Sequence, residues 1–245
     1  MALQPLYDQR NCGRSKAQSN AVVLHIDNVK DLQSIIVSMT EEYGISPAVI
    51  IGHSYGAKVV YDYIQMSGTK FPSVFLSTAN SVLIPRINNL LLDLCYLKSV
   101  DKEQYQKLLK EFNSIRDENI WNITEQLSSV FHENKNRPNF YWANLDCKER
   151  VEALQKELST PLNAEVFASV RRDLYSKEEN YSVNISSLEN HKYLWVNGFH
   201  DFIMNGQASL SDPTLKTTIF YKSAHYPHIE EHQRFCEEMN AFINK

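Results

Sequence analysis

Nine consecutive residues, Val49-Ile50-Ile51-Gly52-His53-Ser54-Tyr55-Gly56-Ala57, restrict this chain more than any other stretch. An apolar run enters Gly-x-Ser-x-Gly and leaves into residues at helical spacing. A serine at so sharp a strand-to-helix bend sits in a strained backbone conformation, with its Oγ held above the edge of a sheet. Gly52 and Gly56 supply the small neighbours that keep side chains clear of strand and helix. The same bend aims a helix N-terminus and the Tyr55 N–H at a reacting carbonyl, so Tyr55 is the expected oxyanion donor. The competing reading is an ordinary tight turn with an idle serine. It loses ground because both the strand before and the helix after are legible.

The rest of the chain supplies a matching frame. Short apolar runs at 48–51, 73–77 and 192–196 read as buried parallel strands, and 217–221 as a last one. Amphipathic helices are expected at 29–43, with Leu32, Ile35, Ile36 and Met39 inward, at 57–65, and at 230–243. Strand and helix in alternation predict a doubly wound, mostly parallel α/β sheet. The stretch 83–188 breaks that alternation. It is rich in Leu, Lys, Glu and Asn and has helical periodicity at 87–97, 102–115 and 147–158. We read 1–82 and 189–245 as the core and 83–188 as a helical cap seated over the carboxyl ends of the strands, where open α/β sheets place their ligand sites.

A serine hydroxyl needs a base and an orienting acid, expected in the order Ser, Asp, His. The stretch Tyr193-Leu194-Trp195-Val196-Asn197-Gly198-Phe199-His200-Asp201 is a strand, a glycine turn and a carboxylate, which makes Asp201 the acid. Without the serine bend, Asp201 would read as a turn or helix-capping residue. Ile219-Phe220-Tyr221-Lys222-Ser223-Ala224-His225 places an imidazole just past the last strand, which makes His225 the base. His228 follows Pro227 near the start of the final helix and His232 should lie within that helix, so both are discounted. His53 and His200 flank the other two positions and suit structural roles, pointing away from the site.

Composition excludes other classes. A net charge of -4 offers no basic stripe for a phosphate backbone, which argues against a nucleic-acid partner. No stretch approaches the length of a membrane span, and the first residues lack the apolar run of a secretory signal. A cytoplasmic location and no membrane partner are the default expectations. Cys12, Cys95, Cys147 and Cys236 lack paired spacing, so neither a zinc site nor a disulfide framework is indicated, and no metal or organic cofactor is expected. The partner is expected to be a small-molecule or short peptide substrate. Nothing in the sequence fixes the oligomeric state.

These residues resemble a known family. Tyr7-Asp8-Gln9-Arg10-Asn11-Cys12-Gly13-Arg14-Ser15 is similar to the Asp-Gln-Arg-Gly-x-Gly-Arg-Ser segment of proline iminopeptidases and their relatives with the α/β-hydrolase fold, with Asn11 in place of the first glycine. The resemblance runs on through Val29-Lys30-Asp31-Leu32, Gly52 to Gly56, Gly198-x-x-Asp201 and His225-x-Pro-His-x-Glu230-Glu231, with Asn205 where relatives carry proline. It implies an α/β-hydrolase fold with a helical cap insertion and a Ser54, His225, Asp201 triad that cleaves an ester or amide bond. In that family, acidic cap residues grip the amino terminus of a peptide, and Glu178-Glu179 is an acidic stretch of this cap, read as a solvated helix end or loop. Two or three strands precede the Asp-Gln-Arg segment in the family, whereas only residues 1–7 precede it here. The expectation is an N-terminal truncation that removes an oxyanion loop and impairs activity. The alternatives are strands from a partner chain, or segment 3–7 moved beside the elbow strand. The rival class is a non-catalytic member of the fold that binds a ligand without turnover.

Overall fold

The computed structural model describes residues 9–13, 15, 22–81, 83–116, 137–158, 163–174, 183, 185–188, 190–204 and 217–244. Tyr7, Asp8, Arg14, Glu178, Glu179, Asn205 and the segment 3–7 lie outside the described residues.

Four parallel strands form one sheet in chain order: β1 (Ile50–His53), β2 (Ser73–Leu76), β3 (Tyr193–Gly198) and β4 (Thr217–Phe220). Helix α1 (His25–Tyr43) precedes β1, and α2 (Tyr55–Ser67) connects β1 to β2. Both helices stop at a glycine in the left-handed region, Gly44 at φ 64° and Gly68 at φ 63°, where a β-carbon would be strained. Helix α1 begins four residues before the periodicity announces it. Asp27 accepts from the Leu24 N–H at 2.9 Å and holds a first turn whose polar His25 and Asn28 are buried.

Strand alternation sends side chains to two cores. Phe75 and Trp195 pack with Val29, Val59, Val60, Tyr63 and Ile64 of α1 and α2. On the opposite face Val74, Leu76, Val196 and Phe220 pack with Met239, Phe235 and Phe242 of the last helix. Cover on both faces is what makes these strands continuous apolar runs. Strands β1 and β4 are the edges of the sheet among the described residues, and on β1 Ile51, on the face of the last helix, remains 44% exposed.

Between β2 and β3 the described residues are helical: α3 (Leu83–Val100), α4 (Lys102–Phe112), a 3-10 turn (Arg137–Tyr141), α5 (Leu145–Leu158), α6 (Ala164–Leu174) and a second 3-10 turn (Ile185–Leu188). Asp101 caps α4 by accepting from the Gln104 N–H at 3.0 Å, and Asn144 and Asn163 do the same for α5 and α6. The sequence reading missed α6. Its Val166, Val170 and Leu174 meet Val23, so its apolar face is turned toward the residues just before α1. The expected helix at 230–243 is two helices, α7 (Pro227–Glu230) and α8 (His232–Ile243), broken at Glu231 with φ -122° and ψ 49°. Periodicity cannot show the break because Glu231 leaves the helical path to bond the preceding loop.

Candidate active site

Ser54 stands between the end of β1 and the first residue of α2, at φ 53° and ψ -119°. A residue with a β-carbon held there costs on the order of 1–3 kcal/mol, and the surroundings must enforce it. The Ser54 N–H donates to the Leu76 carbonyl at 2.8 Å, extending the β1–β2 ladder to the bend, and its own carbonyl accepts from the Ala57 N–H at 3.0 Å. A β-carbon at Gly52 would lie 2.6 Å from Ala57 Cα, so the strand can pass under the helix only as glycine. Gly56 differs from expectation. A β-carbon there would meet nothing within 4 Å among the described residues, so steric need applies to one side of the serine only. Tyr55 opens α2, whose first turn leaves N–H groups without helical partners.

Asp201 and His225 come together from the ends of β3 and β4. The His225 Nδ1–H donates to Asp201 Oδ2 at 2.8 Å, with both side chains buried. Asp201 Oδ1 accepts from the N–H groups of Ile203 and Met204 at 3.2 and 3.1 Å, so the carboxylate both shapes its own turn and holds the imidazole. The two loops are joined backbone to backbone, Phe199 N–H to Phe220 O at 2.8 Å and His200 N–H to Ser223 O at 3.0 Å. Gly198 permits this approach, since a β-carbon there would stand 2.5 Å from the Ser223 carbonyl oxygen. With Nδ1 committed to Asp201, the neutral ring keeps its lone pair on Nε2.

The Ser54 bend and the His225 loop meet through His53. Its ring centroid lies 4.7 Å from that of His225, and its Nε2–H donates to the His225 carbonyl at 2.7 Å. His53 therefore does not point away. It carries the chain position next to Ser54 against the base. Burial, and secondarily the charge of His225, pushes His53 down to about 3. Burial likewise pushes His228 down to about 4, with His225 and His232 adding to it. Both rings are neutral near pH 7. Ser54 Oγ has no hydrogen-bond partner among the described residues, His225 included. His200 lies outside this contact and packs edge-on against Phe199.

Several participants escaped the sequence reading. Tyr141 lends its carbonyl to the His225 N–H at 3.0 Å and its ring edge to the imidazole at 5.1 Å. Glu230 and Glu231 bond the His225 loop. They stood in the family resemblance, but no periodicity marks them. Behind the elbow, the Tyr55 hydroxyl receives Asn28 Nδ2–H at 2.8 Å and meets His25 Nδ1 at 3.0 Å, while His25 Nε2 reaches Asp62 at 2.5 Å and Lys58 reaches the same carboxylate at 2.7 Å. Lys58 and Asp62 stand four residues apart on α2, a spacing that could have signalled this pair from the sequence. Arg10 forms two bonds to Asp31, tying the Asp-Gln-Arg segment to α1.

The parallel sheet and its flanking helices agree with what comparisons with known proteins give. Residues 5–164 match the family model "Serine aminopeptidase, S33", also called Hydrolase_4. The chain belongs to this family of serine hydrolase-type α/β-hydrolases. A comparison with curated proteins gives no significant match. Among solved structures, an α/β fold family hydrolase from Bacillus anthracis str. Sterne is 19% identical, with a TM-score of 0.54 over 96% of this chain and 78% of that one. An esterase from Exiguobacterium antarcticum is 13% identical, with a TM-score of 0.52 over 96% and 79%. A proline iminopeptidase-related protein from Thermus thermophilus is 13% identical, with a TM-score of 0.58 over 95% and 75%. At these identities the likeness is one of fold, and the fold is the α/β-hydrolase fold.

Proposed function

We propose that this chain hydrolyses an ester or amide bond by acyl transfer to Ser54, with His225 as base and Asp201 as the acid behind it. The observation that carries the reading is the buried 2.8 Å bond between His225 and Asp201, held against the β1 end that presents Ser54 at φ 53°. His225 Nε2 takes the proton of Ser54 Oγ as the oxygen bonds the substrate carbonyl carbon, and the carbonyl oxygen takes the negative charge. The Tyr55 N–H, at the N-terminus of α2, is the donor that meets that charge. His225 then gives the proton to the leaving oxygen or nitrogen as its bond to carbon breaks. Water repeats the sequence in the second half, regenerating Ser54. Asp201 keeps the Nδ1–H in place and stabilises the imidazolium without taking its proton.

The helical segment between β2 and β3 serves as a cap over this site, and the substrate is a small ester or a short peptide. Resemblance to the proline iminopeptidases supports an aminopeptidase acting on N-terminal proline as the finer reading. Labelling with a fluorophosphonate probe tests the mechanism: the wild-type chain is expected to be labelled and Ser54→Ala to be inert while still folded. Labelling that persists in Ser54→Ala removes the serine from the role. Release of the chromophore from proline-aminoacyl substrates supports the aminopeptidase reading, whereas turnover of short aryl esters alone leaves a hydrolase and rejects the peptidase.

A further inference from the structure

One carboxylate joins two parts of the chain that the sequence keeps far apart. Glu230 Oε1 accepts from the N–H groups of Ala143 and Asn144 at 2.7 and 2.8 Å, and its Oε2 accepts from the Ala224 N–H at 2.8 Å. Ala143 and Asn144 lie at the start of α5, and Asn144 is itself the cap of that helix. Ala224 is the residue before His225. The N–H of His225 donates to the Tyr141 carbonyl at 3.0 Å, so four hydrogen bonds link segment 141–144 to the loop of the base, three of them ending on Glu230. Trp142 stacks on Tyr226 at 4.2 Å and 23°, extending the same contact by one residue.

The neighbouring Glu231 behaves differently. Its Oε2 accepts from the Lys222 N–H and the Ser223 hydroxyl at 2.8 and 2.7 Å, both within the loop it follows. Glu231 folds the loop, whereas Glu230 fastens the loop to another part of the molecule.

We propose that Glu230 is a positioning residue for His225: it latches the helical segment between β2 and β3 onto the loop of the base and so sets where the imidazole stands relative to Ser54. The proposal rests on the acyl-transfer reading above. The physical reason is that a carboxylate holding several N–H groups forms charge-assisted bonds stronger than neutral ones. An imidazole displaced by about 1 Å loses on the order of 100-fold in rate. Glutamine at 230 keeps one accepting oxygen and presents an NH₂ group to the other set of donors, so it cannot hold both sides.

The test is active-site titration of the full chain with a fluorophosphonate probe, read as amplitude and rate separately, alongside kcat and KM for an aryl acetate. Glu230→Gln is expected to label to full amplitude, with labelling rate and kcat both reduced roughly 10- to 100-fold and KM within about twofold. Glu230→Asp, which keeps the charge but draws the two oxygens back by one methylene from their donors, is expected to lower the same rates by a smaller factor and covers the case in which Glu230→Gln does not fold. Wild-type rates in the variants overturn the proposal, as does a loss confined to amplitude with the remaining fraction labelled at the wild-type rate. Labelling that survives in Ser54→Ala, or a wild-type chain that takes up no probe, defeats the acyl-transfer reading instead.

Discussion

The two halves of the site are built by different means. On the Asp201 and His225 side, both residues are buried, the N–H groups of Ile203 and Met204 donate to Asp201, and the Tyr141 carbonyl and the Glu230 carboxylate accept from the His225 loop. On the Ser54 side, the serine sits partly exposed at the end of β1, and backbone sterics at Gly52 hold the bend. On the proposed acyl-transfer reading, polar networks place the pair that is to move a proton, where direction matters, while a forced bend places the hydroxyl that is to form a bond, where exposure matters. His53 joins the halves, adjacent to Ser54 in the chain and bonded to His225 in space.

The largest expected effect breaks the first half. Asp201→Asn presents an amide to Nδ1 and favours the tautomer that places a proton on Nε2. Turnover should fall by about 10⁴-fold with the fold retained. Steady-state kinetics with circular dichroism as a control checks this, and a loss under about tenfold would remove Asp201 from its role. Next in size, Gly198→Ala drives a β-carbon into the carbonyls of Ser223 and Ala224. It should cost about 1–3 kcal/mol of stability, seen as a lower urea midpoint.

Acid weakens the junction between the halves. His53 and His228 are held below 6.5 in the folded chain, at about 3 and about 4, so the unfolded chain binds protons first as pH falls through 6.5. Stability contributed by the two neutral rings is present above pH 6.5 and declines toward the folded values. Between pH 6.5 and pH 5 the loss should be about 1–2 kcal/mol per histidine. Urea melts across that range should show a shallower decline for His53→Gln, and an unchanged slope would refute the assignment. The smallest effect sharpens the second half: Gly56→Ala meets no obstacle among the described residues and should be neutral or stabilise by under about 1 kcal/mol, measured by the thermal midpoint.

Local pattern alone determined the four strands, the helix between the first two and the bend at Ser54, because period and turn chemistry are properties of adjacent residues. It also marked Asp201 and His225, since each follows a strand end. Tertiary structure decided that, among the described residues, a β-carbon is blocked at Gly52 and not at Gly56, and that the last helix breaks at Glu231. It also decided that His53 leans on His225, and that Glu230 reaches across to Ala143 and Asn144. The last two are contacts between residues distant in the chain, set by how the strands stack side by side and which loops that stacking brings within about 3 Å. A one-dimensional pattern holds no record of those distances.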